Sequence, residues 1–184
     1  MSDLLNEQNS EKYKKIIIAG LDNSGKSSIV LSIIGKMNLI NYMSLNPTFG
    51  PNIINFESLD SKFNIWDLGG QESFREEYLQ NFEIYLDGCS KILFVIDIQD
   101  IQRYDIALKY FENILKKIKK KNLDIDISIF LHKNDPDLKE VHPEITEDRI
   151  QELINKIKKL IPEGYFFEIY KTTIYTIFDK VLVY

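Results

Sequence analysis

Six short apolar runs, rich in isoleucine, valine and phenylalanine, constrain the fold of this chain more than any other feature. They lie at 14 to 20, 52 to 59, 62 to 67, 91 to 98, 125 to 132 and 165 to 170. Strands that are apolar almost throughout are typical of a parallel sheet covered on both faces. Helical patterns alternate with these runs at 27 to 37, 106 to 121, 145 to 161 and 173 to 184. The alternation predicts a doubly wound α/β fold.

One pair of runs departs from the alternation. The runs 52 to 59 and 62 to 67 are separated by only a couple of residues, Asp60 and Ser61. This connection is long enough for a hairpin and too short for a crossover helix. We therefore expect a six-stranded, mostly parallel sheet with one antiparallel edge strand.

Length and charge narrow the class of protein. With 184 residues, of which 44% are hydrophobic, the chain is expected to form a single domain over 13 to 184, after a weakly amphipathic or disordered extension at 1 to 12. A net charge of -5 and the absence of a basic patch argue against nucleic acid as a partner. The single cysteine, Cys89, leaves no internal disulfide and favours a reducing compartment such as the cytoplasm.

A glycine-rich loop, GLDNSGKSS at 20 to 28, follows the first predicted strand and precedes the first predicted helix. Glycines at both ends of a tight loop let backbone N–H groups surround a phosphate, a lysine neutralises phosphate oxygens, and the next hydroxyl can ligate Mg²⁺. The loop therefore predicts polyphosphate binding. Its candidate binding residues are Asp22, Asn23, Ser24, Gly25, Lys26, Ser27 and Ser28.

Two further motifs supply groups that act on a γ-phosphate. In WDLGGQE (66 to 72), Asp67 is placed to hold Mg²⁺ through a water, the backbone of Gly70 can approach the phosphate, and Gln71 can orient an attacking water. In NPTFG (46 to 50), the hydroxyl of Thr48 is a second candidate Mg²⁺ ligand. Gln71 and Lys26 are therefore the candidate catalytic residues.

In this order and spacing, GLDNSGKSS, NPTFG and WDLGGQE resemble the motifs of the small GTPases of the Ras superfamily, and of the Arf-like branch in particular. The resemblance implies binding of GTP and GDP with Mg²⁺, switch I at 38–51 and switch II at 69–80. It also implies an exchange factor, a GTPase-activating protein and effectors as partners, in signalling or trafficking.

The base end of the predicted site is FLHKND at 130 to 135, which closes the fifth apolar run. Asp135 can accept two hydrogen bonds from guanine, which adenine cannot donate, and the stem of Lys133 can lie along the base. His132 stands where the family usually has asparagine. Three roles are open for it: it supports the loop structurally, it contacts the base directly, or it titrates as a switch. We favour the role as a brace that supports the loop.

The histidine also resembles the base motif of Rag-type GTPases, as do FVIDIQD (94 to 100), the length of switch II and KTTIYTIFDKVL (171 to 182). By this resemblance Thr173 and Ile174 belong to a second loop that contacts the base. The sequence leaves open whether the chain is Arf-like or Rag-like. The Rag resemblance also leaves a homodimer or heterodimer open.

Three expectations about activity and location follow. None of the three arginines, Arg75, Arg103 and Arg149, lies in 36 to 51, so we expect slow intrinsic hydrolysis that depends on an activating protein. The alternative is a nucleotide-locked scaffold subunit without significant turnover. Ser2 stands where N-myristoylation requires glycine and no prenylation motif is present, which argues against direct membrane binding and for recruitment through partners.

We also expect Phe49, Phe74 and Tyr78 to present surface side chains of the two switches to those partners.

Overall fold

The computed structural model describes residues 13–35, 45–58 and 61–175. The predicted extension 1–12, residues 38–44 of switch I and residues 176–184 of the predicted last helix lie outside the described residues. Within the described part, residues 173–175 do not form regular secondary structure.

The described chain contains six strands and six α-helices. The strands are β1 (Lys14–Gly20), β2 (Pro51–Ser58), β3 (Ser61–Leu68), β4 (Cys89–Asp97), β5 (Asp126–His132) and β6 (Phe167–Lys171). The helices are α1 (Lys26–Ile33), α2 (Glu72–Gln80), α3 (Phe82–Leu86), α4 (Tyr104–Lys121), α5 (Leu138–Val141) and α6 (Glu147–Leu160). A single turn of 3₁₀ helix, Ile101–Arg103, precedes α4.

The sheet confirms the predicted fold class. Its strand order is β2-β3-β1-β4-β5-β6, and only the β2–β3 pair is antiparallel. The carboxyl ends of the parallel strands β1, β3, β4 and β5 therefore lie along one edge of the sheet. Ligands of doubly wound sheets bind at this edge, because the loops that follow the strands meet there.

Two apolar layers cover the sheet, because successive side chains of a buried strand point to opposite faces. On β1, Ile17 packs into the larger core with α4, whereas Ile18 packs into the smaller core with Val30 of α1. On β4, Phe94 and Val95 divide in the same way. This two-sided burial is the physical reason why these strands are continuous apolar runs.

Some predicted boundaries were wrong. The first helix ends at Ile33 rather than at 37, and Gly35 follows with a positive φ of 68°, where glycine is favoured. Most of switch II is helix α2 rather than a loop. Among the described residues, no helix is both long and apolar enough to cross a membrane.

Candidate nucleotide site

The loop between β1 and α1 has the backbone geometry of an anion-binding turn. Asn23 and Gly25 have positive φ values of 57° and 89°. Gly25 caps α1, and no side chain caps the helix N-terminus. The first N–H groups of α1, beginning at Lys26, therefore have no partner within the helix, and they carry the positive end of its dipole. Such a loop favours a phosphate group.

Lys26 lies inside this loop. It is 5% exposed, and its Nζ donates a hydrogen bond to the carbonyl oxygen of Leu21 at 2.7 Å. Burial lowers the pKa of Lys26 to about 8, although the charges of Asp67 and Asp22 act in the opposite direction. The ammonium group therefore lacks a full counter-charge, which the oxygens of a polyphosphate would supply.

Oxygen atoms from three separate motifs meet beside Lys26. The Ser27 hydroxyl donates to Asp67 Oδ2 at 2.6 Å and lies 3.0 Å from Thr48 Oγ1. Asp67 is fully buried, and this burial raises the pKa of its carboxyl group despite the hydrogen bond from Ser27. Its other oxygen, Oδ1, is buried without a hydrogen-bond partner among the described residues.

This set of oxygens fits a magnesium ion. Hydroxyl and carboxylate oxygens are the ligands that Mg²⁺ prefers, and an unpaired buried carboxylate oxygen fits a site that an ion or its bound water completes. In the described part of the chain, no group of three His, Cys, Asp or Glu side chains converges. A cation at Ser27, Thr48 and Asp67 would therefore complete its coordination with oxygens from outside the protein, such as those of water and phosphate.

Two glycines bring switch II against the phosphate loop. A Cβ atom on Gly69 would lie 2.6 Å from the carbonyl oxygen of Thr48, and one on Gly70 would lie 2.2 Å from the backbone nitrogen of Asp22. This close approach lets the Gly70 carbonyl accept hydrogen bonds from Asp22 N at 3.0 Å and from Arg75 Nε at 2.9 Å. Glycine is thus required at both positions because there is no room for a Cβ atom, and not because the backbone conformation is unusual.

The three motifs enclose a pocket of about 370 Å³, a volume within the range of small-molecule sites. The predicted residues that line it are Asp22, Asn23, Gly25, Lys26, Ser27, Ser28, Thr48, Gly70 and Gln71. Gln71 precedes α2 as its N-cap residue, so the start of this helix sets the position of the glutamine. Ser24 does not line the pocket: its side chain is 2% exposed, and it faces a small cavity behind the loop.

At the base end, His132 joins two loops. It is 3% exposed, and its Nδ1 lies 2.9 Å from Thr172 Oγ1. A Cβ atom on Gly25 would lie 2.4 Å from His132 Cδ2, so the ring packs directly against the phosphate loop. Burial and, secondarily, the charge of Lys133 lower the pKa of His132, which therefore stays neutral near pH 7.

The other predicted base residues lie next to His132. The Thr173 hydroxyl donates to Asp135 Oδ1, and Lys133 Nζ forms an ion pair with Asp97 at 2.7 Å. Ile174 is partly buried against the smaller core, where it anchors the second loop. The structure thus brings both predicted base loops together beside the phosphate loop.

Comparisons with known proteins agree with this architecture. A family model described as the Gtr1/RagA G protein conserved region matches residues 15–184. The chain belongs to the Gtr1/RagA family of G proteins. Arf-like proteins are also among its relatives.

Among the relatives of this Gtr1/RagA-family chain, ADP-ribosylation factor-like protein 2 of Arabidopsis thaliana is 37% identical over 107 residues, which are 58% of this chain and 54% of the relative. The protein of the same name from Dictyostelium discoideum is 33% identical over 127 residues, 69% of this chain and 64% of the relative. The chain therefore spans less than two thirds of the length of these curated relatives.

A solved structure shares the fold of this G protein. The Arl6 BBS3 small GTPase from Trypanosoma brucei, with the bound nucleotide analogue GppNp, matches with a TM-score of 0.64 at 22% identity. The match covers 88% of this chain and 87% of the other.

Sequence reasoning missed three residues of this G protein that contact the predicted site. Asp97 is the last residue of β4, and Gln99 and Arg103 follow the strand. Arg103 Nη1 donates to Asp22 Oδ1 at 2.9 Å, and Gln99 Nε2 donates to Asp135 Oδ2 at 3.0 Å. The signal in the sequence was the position of FVIDIQD: polar residues that end a central strand lie at the ligand-binding edge of the sheet.

Proposed function

We propose that this protein is a Mg²⁺-dependent molecular switch that binds and slowly hydrolyses GTP, and that it acts on protein partners through switch I and switch II. One observation carries the proposal. Ser27 and Thr48 line the same pocket as Lys26 and Gln71, and the Ser27 hydroxyl joins Thr48 to the buried carboxylate of Asp67. These are the groups that phosphoryl transfer from a nucleoside triphosphate requires.

Each candidate residue has a separate role in hydrolysis. Ser27 and Thr48 would hold Mg²⁺ directly and Asp67 through a water, and the ion supplies positive charge against the phosphate oxygens. Lys26 neutralises the β- and γ-phosphates. Gln71 orients the attacking water, and the Gly70 N–H donates to the γ-phosphate oxygen on which negative charge develops.

The positions of the arginines support slow intrinsic turnover. All three arginines of the chain lie among the described residues, and none of them lines the pocket. Arg103 is bound to Asp22 and Asp100, and Arg75 donates to the Gly70 carbonyl. An arginine at the transferring phosphoryl group contributes on the order of 10³ to 10⁵ in rate. We therefore propose that an activating protein provides it.

Guanine nucleotides are the proposed ligands because of Asp135. Its carboxylate carries two acceptor oxygens, which match the adjacent N1–H and amino donors of guanine. His132 acts in this proposal as a brace: its ring is buried between Gly25 and Thr172, away from solvent. A neutral imidazole provides the donor and acceptor that the asparagine of related GTPases would provide.

Exposed aromatic side chains support a protein partner at the switches. Phe49 is 73% exposed and lies edge-on to Phe74, with 6.2 Å between the ring centroids, so the pair joins the two switches. Tyr78 does not belong to this surface, contrary to expectation. It is 1% exposed, and its hydroxyl accepts a hydrogen bond from Gly69 N at 3.2 Å. Effectors, an exchange factor and an activating protein are the proposed partners.

We further propose that residues 13–184 form one GTPase domain that works in the cytoplasm and reaches membranes through partners. The proposal includes a homodimer or heterodimer of G domains, by resemblance to the Rag-type GTPases.

Single-turnover hydrolysis of bound GTP tests the proposal. Nucleotide is removed with EDTA, GTP or ATP is loaded with Mg²⁺, and phosphate release is followed for the wild type, Gln71→Leu and Gln80→Leu. Gln80 lies exposed at the end of the same helix, so it controls for the substitution itself. We expect GTP to be bound in preference to ATP and hydrolysed on the order of 10⁻⁴ s⁻¹, as in unassisted GTPases.

The expected pattern is that Gln71→Leu retains GTP but slows hydrolysis at least ~10-fold, whereas Gln80→Leu matches the wild type. Retention of GTP over hours by the wild type, even with added cell extract as a source of activating proteins, would support the nucleotide-locked scaffold instead. Hydrolysis that is equal in Gln71→Leu and the wild type would remove Gln71 from the mechanism.

A further inference from the structure

Gln99 contacts the base loop through its side chain, and it was not among the predicted nucleotide-binding residues. Its Nε2 donates to the carbonyl oxygen of Lys133 at 2.9 Å and to Asp135 Oδ2 at 3.0 Å. One carboxamide group thus spans the backbone and the side chain of the segment that would recognise the base.

The position of Gln99 is itself fixed by the neighbouring strands. Its backbone N–H donates to Asp97 Oδ1 at 2.9 Å, and the N–H of Ile98 donates to the His132 carbonyl at 3.0 Å. Asp97 is 8% exposed and also holds Lys133 Nζ at 2.7 Å. The end of β4 and the end of β5 are therefore joined by contacts of the two residues that precede Gln99.

The base loop needs such support because its backbone is in an uncommon conformation. Lys133 has a φ of 62°, in the left-handed region that L-residues other than glycine seldom adopt. A hydrogen bond from Gln99 to the Lys133 carbonyl stabilises this conformation directly. Removal of the bond would allow the loop to relax and to turn the Asp135 side chain with it.

We propose that Gln99 is a positioning residue for guanine recognition, which holds the Asp135 carboxylate in the orientation that accepts both donors of the base. The inference rests on the proposed function, because it presupposes that Asp135 binds guanine.

The geometry leaves room for the base. Gln99 occupies one lone pair of Oδ2, and Thr173 occupies one lone pair of Oδ1. An ionised carboxylate offers about four acceptor sites, so each oxygen retains one for guanine. Two fixed donors also prevent rotation of the carboxylate, which lowers the entropy lost when the base binds.

Inosine nucleotides distinguish a misaligned Asp135 carboxylate from a loop that is merely less stable. Hypoxanthine keeps the N1–H of guanine but lacks the amino group, so the ratio of the dissociation constants of IDP and GDP measures the second hydrogen bond. A misaligned carboxylate loses this bond selectively. A destabilised loop would weaken the binding of both nucleotides equally.

The test compares Gln99→Met with Gln102→Met in the full chain after removal of nucleotide. Methionine keeps the length of the glutamine side chain and removes its donor, and Gln102 is an exposed glutamine on the adjacent 3₁₀ turn. Affinities for GDP, IDP and ADP are measured by competition with a fluorescent GDP analogue. Thermal unfolding of each nucleotide-free protein shows whether it is folded.

For Gln99→Met we expect GDP affinity to fall about tenfold and the preference for GDP over IDP to fall at least about threefold, while Gln102→Met matches the wild type. Equal losses for GDP and IDP, an unchanged ratio, or tighter GDP binding would overturn the inference. If Gln99→Met does not fold, Gln99→Asn replaces it, because its shorter amide cannot span both acceptors, and the same ratio decides.

Failure of the proposed function gives a different result. A wild-type protein that binds ADP as tightly as GDP would refute guanine recognition as such. A wild-type protein that prefers GDP, together with a Gln99→Met variant of unchanged selectivity, would refute only the role of Gln99.

Discussion

Gly70→Ala tests whether close packing of switch II against the phosphate loop is needed for hydrolysis. The φ angle of Gly70 lies outside the left-handed region, so alanine meets no backbone penalty there. The added Cβ, however, would lie 2.2 Å from Asp22 N and 2.5 Å from Leu21 O, whereas ordinary contacts begin at 3.4 Å. Because the neighbours are backbone atoms, the two segments must separate by roughly 1 Å.

This separation has two consequences of known size. The hydrogen bond from Asp22 N to the Gly70 carbonyl, which joins the two segments, would be broken or lengthened, at a cost of about 1 kcal/mol. Gln71 is the next residue, so it moves with Gly70. A displacement of about 1 Å in a group that orients a reactant lowers the rate by about 10².

We therefore expect Gly70→Ala to hydrolyse bound GTP about 100-fold more slowly, while its affinity for GDP stays within about threefold of the wild type. The assay is single-turnover phosphate release, paired with dissociation of a fluorescent GDP analogue. Ser73→Ala, in the exposed first turn of α2, serves as the control. Hydrolysis by Gly70→Ala within threefold of the wild type would show that the contact does not position Gln71.

Three further predictions concern charge. Asp135→Asn should bind xanthosine diphosphate (XDP) in preference to GDP, because the amide can donate to the xanthine carbonyl. Unchanged selectivity in competition binding would contradict the base assignment. Phosphate oxygens should raise the pKa of Lys26 from about 8, so nucleotide binding should take up protons at pH 8.5 and hardly any at pH 6.5, as measured by calorimetry in two buffers. The pKa of buried His132 lies below the unfolded value of about 6.5, so the stability that comes from its neutral ring is present above that value and is lost as the pH falls. Between pH 7.5 and pH 5.5, the melting temperature of the wild type should therefore fall by more than that of His132→Asn. A constant difference between the two melting temperatures would contradict this.

The parts of the site that the sequence predicted are those whose chemistry fixes residue type and spacing. A phosphate loop needs its glycines, lysine and hydroxyl within a few residues, so Gly25, Lys26 and Ser27 could be proposed as binding residues without a structure. The same holds for the strands, since a strand buried on both faces must be apolar throughout.

The parts that escaped prediction depend on contacts between distant segments. Tyr78 has a polar hydroxyl and follows the three charged residues Arg75, Glu76 and Glu77 of α2, so its position suggested the surface. The structure buries its ring in the larger apolar core, and its hydroxyl there shares the N–H of Gly69 with the carbonyl oxygen of Gly50. The spacing of Phe74 and Tyr78 by four residues was the available sign of a helix with an inward face.

Asp22 shows why such distant contacts matter to function. A carboxylate next to a γ-phosphate would repel it, yet Asp22 lies in the loop that is proposed to bind phosphate. Arg103 resolves the conflict, because its guanidinium holds the Asp22 side chain at 2.9 Å and also binds Asp100. The short segment after β4 thus acts at both ends of the site, with Arg103 on the phosphate loop and Gln99 on the base loop. A nucleotide that contacts both loops would depend at both ends on the segment that contains Gln99 and Arg103. A shift of this segment would therefore change the affinity for base and phosphate together.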